Sequence, residues 1–111
     1  MRTKSTGLAI PSYTRPQIWE PGIVKVWRRY AKLRTALYPY LVAADAAYRR
    51  TGLPLMRQLA LAYPGDRRAV AQDAEFLLGP DLLAAPVTAP GRRAQPVYLP
   101  RGAWVDLWRS L

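Results

Sequence analysis

The sequence contains no cysteine and no histidine. The first absence excludes a disulfide framework and thiolate zinc sites. The second removes histidine-based triads, histidine general bases and imidazole metal ligands. Acidic side chains are also scarce, seven Asp and Glu against seventeen Lys and Arg. Long apolar runs are missing too, each broken by Arg, Asp or Pro before the roughly 18 residues that a membrane span needs. The opening MRTKSTGLAIPSY begins basic but has no sustained apolar stretch, so it does not read as a signal peptide. The compartment stays open, with the cytoplasm as the expectation.

What is present is globular in composition. The 111 residues are 50% hydrophobic and 22% charged, enough for one modest core. A formal charge of +10 raises the possibility of nucleic acid as a partner, because clustered cations gain affinity for phosphate by releasing counterions. Clustering is the test, and the charge is dispersed. Lys25, Arg28, Arg29 and Lys32 form a helical stripe, while Arg49-Arg50, Arg67-Arg68 and Arg92-Arg93 fall in three other elements. No helix-turn-helix, zinc-finger or aromatic RNA-binding pattern accompanies them. A small basic nucleic-acid binder is therefore the alternative, and a solvated surface the reading.

Gly7, Pro11 and Pro16 make residues 1–20 an irregular lead-in. Beyond it, Val26, Tyr30, Leu33, Leu37, Leu41, Ala44 and Tyr48 recur at steps of three or four, the mark of a long amphipathic helix. Pro39 predicts a kink near Tyr38-Pro39-Tyr40. Arg49 and Arg50 suit the negative end of the helix dipole, and Gly52 suits a left-handed cap. Residues 54–63 carry apolar side chains on both parities except at Arg57 and Gln58, which predicts a doubly buried strand of a parallel sheet. Asp66 then caps a short helix over 67–72. The remainder reads as strands over 75–78, 82–87, 95–99 and 103–108, separated by Gly79-Pro80-Asp81, Pro90-Gly91 and Pro100-Arg101-Gly102. One helix and one parallel strand cannot cover each other's apolar faces, so these halves do not add up to a self-sufficient fold.

Four segments in order, KLRTALYPYL (32–41), TGLPLMRQLALAYPGD (51–66), EFLLGPDLLAAPV (75–87) and VYLPRGAWVDLW (97–108), resemble the closing part of glycoside hydrolase family 31, the α-glucosidase and α-xylosidase family. RPQIWEPG (15–22) is similar to the family's lead-in, though its order differs from the more usual Arg-Glu-Pro-Trp. The resemblance implies that residues 23–51 are the last-but-one helix and 54–62 the eighth strand of a (β/α)8 TIM barrel. By the same resemblance a C-terminal β-sandwich begins after them. The expected division is 1–72 for the barrel part and 73–111 for the start of the sandwich.

The chemistry implied is retaining hydrolysis of α-glucosidic or α-xylosidic bonds in an α-linked oligosaccharide or glucoside, with neither cofactor nor metal. One aspartate acts as nucleophile and another as general acid/base, their carboxyl groups about 5 to 5.5 Å apart. In the family both lie upstream of everything present here, and no Trp-x-Asp-x-Asn-Glu motif occurs. The chain is expected to be a fragment that holds no catalytic residue and is inactive alone, or else a truncated remnant whose Met1 is not the true start. Its substrate-binding residues and oligomeric state stay open.

The remaining candidates favour structural roles. Arg57 is expected to be a buried cation paired with an anion, because an unpaired buried charge is costly. Asp45 is expected to pair with Arg49 one helical turn on. Asp73 and Glu75 read as surface or capping carboxylates, Asp66 as a cap, Asp81 as a turn residue, and Asp106 as part of the last strand between Trp104 and Trp108. Trp27 and Tyr30 read as core. Trp19 also reads as structural, with the rim of a sugar pocket as its alternative.

Overall fold

The computed structural model describes residues 17–110, so most of the expected irregular lead-in over 1–20 lies outside the described residues. The chain divides into two compact units, Met1–Ala36 and Leu37–Leu111. In the first unit a turn from Gln17 to Glu20 leads into helix α1, Pro21–Ala36. Pro21 at the helix start costs nothing, since its missing N–H would have no intrahelical partner there. No residue of α1 is buried, and Trp27 and Tyr30 are each 53% exposed. The core role expected for those two rings is therefore not met within this chain.

The second unit begins with helix α2, Tyr38–Thr51. The long helix read from the sequence is thus two helices, separated at Leu37. Pro39 sits in the first turn of α2, where a proline removes no hydrogen bond, and the break falls just before it instead of at a kink within one helix. The far end behaves as expected. Gly52 takes a left-handed φ of 75° and donates its N–H to Tyr48, with Arg49 and Arg50 in the last turn.

The expected strand over 54–63 is realised only as β1, Met56–Gln58, and it is antiparallel to its neighbour. After Gln58 the run Leu-Ala-Leu-Ala turns into a short helix, α3, Leu59–Ala62. Alanine and leucine are among the best helix formers, and the described residues offer no parallel neighbour to hold this run extended. Asp66 caps α4, Arg67–Val70, accepting hydrogen bonds from the backbone N–H groups of Arg68 and Ala69. Strands β2, Phe76–Leu78, and β3, Leu82–Ala84, follow as a hairpin, giving a three-stranded antiparallel sheet in the order β1-β2-β3.

The two later strands read from the sequence are absent. Residues 95–99 form no ladder, and over 103–108 the chain instead enters α5, Leu107–Ser110. Pro96 and Pro100 each lack the N–H that a ladder requires. Asp106 accepts from the N–H groups of Trp108 and Arg109 and so caps a helix start.

One face of the sheet is buried. Arg57 lies opposite Leu77, and Leu77 opposite Leu83. Leu59, Ala69 and Leu77 form the core cluster, with Tyr63, Leu83, Tyr98 and Trp104 packed against it. Trp104 donates its indole N–H to the carbonyl of the fully buried Pro100 at 2.7 Å, which fixes the ring over that cluster. Trp108, grouped with it on the sequence, is instead 43% exposed, on α5.

Candidate functional site

All seven carboxylates lie among the described residues, and their surroundings decide what each can do. Glu20 accepts from the Gln17 N–H at 3.2 Å. Asp45 meets Arg49 Nε at 3.0 Å in the expected pair, both partners exposed, a geometry that contributes about 0.3 to 0.5 kcal/mol. Asp106 caps α5 and approaches Arg109 Nε at 3.4 Å. Asp73 is exposed, and Asp81 sits in the β2–β3 turn.

The densest constellation is Asp66, Glu75 and Tyr98. The Tyr98 hydroxyl donates to Asp66 Oδ2 at 2.7 Å, while the Tyr98 N–H donates to Glu75 Oε1 at 2.6 Å. One tyrosine thus ties the 95–99 segment to the start of α4 and to the approach of β2. Asp66 receives three protein donors in all, two backbone N–H groups and the phenol. A carboxylate so engaged is a structural anchor.

Those bonds set its acidity. The Tyr98 hydroxyl first, then the Ala69 and Arg68 N–H groups and the Arg68 charge, hold Asp66 below the ordinary 3.8, while desolvation opposes them. The same bond raises Tyr98 above 10.0. A depressed folded-state value means that Asp66 stabilises the fold fully above 3.8, and that this contribution is lost as pH falls through the folded value. Asp66→Asn, which keeps a cap acceptor but no charge, is expected to flatten the acid limb of the unfolding profile. Thermal melts between pH 7 and pH 2 test this, and an unchanged acid limb in the variant would contradict it.

Of the surface or capping roles expected for Glu75, the surface one is not met. The residue is 4% exposed, and its Oε2 is buried with no hydrogen-bond partner. Arg57, 9% exposed, stands on the same sheet face opposite Leu77, yet no ion pair joins the two. The guanidinium Nε donates to the Pro54 carbonyl at 3.0 Å. The pairing with an anion expected for Arg57 is therefore replaced, among the described residues, by a backbone acceptor that suits the short turn entering β1.

A second anchor is Tyr40, whose hydroxyl donates to the Leu78 carbonyl at 2.7 Å and accepts from the Asp81 N–H at 3.0 Å. The tyrosine anchors were not singled out in the sequence because nothing in the local pattern marks them. Their partners lie 38 and 41 residues away for Tyr40, and 32 and 23 for Tyr98. Trp19 is 73% exposed. Among the described residues, no group of three or more Asp or Glu side chains is placed to hold a metal ion.

Residues 52–110 match the model of the glycosyl hydrolase family 31 C-terminal domain, more than half of the chain. The chain belongs to glycosyl hydrolase family 31. It is 35% identical to the isomaltosyltransferase of Sporosarcina globispora over 78% of its length, and 40% identical to the 1,3-alpha-isomaltosidase of Kribbella flavida, also over 78%. It covers only 8% and 12% of those two proteins. Among solved structures it is similar to the Flavobacterium johnsoniae family 31 dextranase complexed with glucose, with a TM-score of 0.78 and 35% identity, covering 87% of this chain and 12% of that one. The small antiparallel sheet fits the family's C-terminal domain, and family 31 comprises glycosidases acting on α-glucosidic bonds.

Proposed function

We propose that this chain is the closing part of a family 31 retaining α-glycosidase, with residues 1–72 completing a (β/α)8 barrel and residues 73–111 opening the β-sandwich behind it. The observation that carries this reading is the overlay with the dextranase, which matches almost the whole described chain but only 12% of that protein. The exposure of Met56, Leu61, Val70 and Val97 around a core cluster of Leu59, Ala69 and Leu77 supports it, because so small an interior covers little of a barrel element's apolar surface. In the complete enzyme the substrate is an α-linked glucoside or oligosaccharide. The nucleophile and the acid/base are two carboxylates outside this chain, held about 5 to 5.5 Å apart. The part played here is scaffolding: Tyr40, Asp66 and Tyr98 fix the joint between barrel end and sandwich start. A catalytic pair held across a barrel needs that rigidity, since misplacement by about 1 Å costs rate steeply.

The pure 111-residue polypeptide is expected to show no turnover of a chromogenic α-glucoside. Release of the chromophore above the buffer blank, proportional to polypeptide concentration, would refute the proposal.

A further inference from the structure

The second unit carries three adjacent arginine pairs, Arg49-Arg50, Arg67-Arg68 and Arg92-Arg93, all of them exposed. Exposure does not distinguish them, but backbone conformation does. An endoprotease takes its substrate as an added strand, so the segment it cuts must extend and offer unpaired N–H and C=O groups. Arg49 and Arg50 lie in the last turn of α2, where Arg49 Nε also meets Asp45 at 3.0 Å. Arg67 and Arg68 open α4, with the Arg68 N–H donating to Asp66 Oδ1 and the Arg67 carbonyl accepting from the Ala71 N–H. Either pair enters a protease cleft only after its helix opens locally.

Arg92 and Arg93 meet no such barrier. Residues 90–94 are exposed and belong to neither helix nor strand. Between Val87 and Val97 a single backbone–backbone hydrogen bond forms among the described residues, from the Arg92 N–H to the Ala89 carbonyl at 3.4 Å. The other arginines of the unit are held closer. Arg57 is buried, Arg109 lies in α5, and Arg101 follows the fully buried Pro100, whose carbonyl accepts from Trp104. Beyond the pair the chain is fastened again. The Tyr98 N–H and hydroxyl donate to Glu75 and Asp66, and the Tyr98 and Trp104 rings pack on the core cluster.

We infer that Arg92-Arg93 is a site of limited proteolysis for an arginine-specific serine endoprotease, and that the cut chain stays assembled, with residues 94–111 still docked through Tyr98, Pro100 and Trp104. Hydrolysis of the Arg93–Ala94 bond consumes one water. The C–N bond breaks, the water oxygen completes a carboxylate on Arg93, and both water hydrogens end on the Ala94 nitrogen as an ammonium group. The site lies within the second unit and does not depend on the barrel reading.

The probe is trypsin at a low ratio to the full 111-residue polypeptide, with products timed by mass spectrometry. The piece 94–111, or 93–111 from the bond within the pair, is expected at least about tenfold sooner than any product cut at Arg49-Arg50 or Arg67-Arg68. In native size exclusion that piece should co-elute with the rest of the second unit and separate only in denaturant. Tyr98→Phe, which removes the hydroxyl bond to Asp66, is expected to release it about tenfold faster. With Arg92→Gln and Arg93→Gln together, the circular dichroism should match that of the parent, and the second unit should survive digestion at least about tenfold longer. Comparable rates at the three pairs, earlier cuts at Arg57 or Arg101, or a double variant digested at the parent's rate would overturn the site. A 94–111 piece that elutes alone in native buffer, or one that Tyr98→Phe releases no faster, would overturn the docking of the cut chain.

Discussion

Replacing Gly79 by alanine is expected to destabilise the second unit by about 2 to 5 kcal/mol. Two costs combine at this residue. Its φ of 68° lies in the left-handed region, where a side chain costs about 1 to 2 kcal/mol. A Cβ built there would also collide with the Tyr40 hydroxyl and come within 2.7 Å of the ring Cζ and 3.0 Å of Cε1. These are part of a half-buried ring, so the collision is relieved by moving Tyr40 and losing its bonds to Leu78 and Asp81. Leaving such partners unsatisfied costs about 1 to 3 kcal/mol. Urea unfolding of Gly79→Ala, Tyr40→Ala and the double variant separates the terms. With Tyr40 already truncated, Gly79→Ala should cost only the conformational 1 to 2 kcal/mol, roughly. Strictly additive losses would show that the tyrosine and the turn are not coupled.

Truncation of Leu77 should cost a similar amount by a different route. Leu77 is the central residue of β2, fully buried, and paired with Arg57 on one side and Leu83 on the other. Leu→Ala at such a site loses about 3 to 5 kcal/mol through lost transfer energy and the cavity left behind. Domains of this size have little to spare, since total stabilities run about 5 to 15 kcal/mol and a small core lies at the low end. Leu77→Ala is therefore expected to leave no folded baseline in a urea titration. Leu77→Ile, which keeps the volume, should cost below about 1.5 kcal/mol and retain a cooperative transition. A Leu77→Ala chain that unfolds at the parent's midpoint would mean that the Leu59–Ala69–Leu77 cluster does not hold the fold together.

Where local chemistry suffices, the residues could be read in advance. The Gly52 cap, the Asp66 cap, the Asp45–Arg49 pair and the starts of β2 and β3 depend on neighbours within a few positions, and all are present. Where the deciding partner is distant, the reading failed. The 54–63 run has strand composition, but Leu59 to Ala62 coil into a helix, with no parallel neighbour among the described residues. Glu75 was taken for a surface or capping group, yet it is buried, two residues before the buried Leu77 of β2. Asp106, taken for a strand residue, accepts backbone bonds at the start of α5.

By itself the sequence determined which chemistries are closed to this chain, through its missing histidine and cysteine, and which family it belongs to, through four motifs whose order needs no folding to be read. Only the tertiary structure decided that Tyr40 and Tyr98 are the anchors and that Arg57 leans on a carbonyl. The reason is physical. Caps and helix stripes are settled by interactions across three or four residues, whereas a hydroxyl's acceptor or a strand's free side is fixed only when segments some twenty to forty residues apart are brought together.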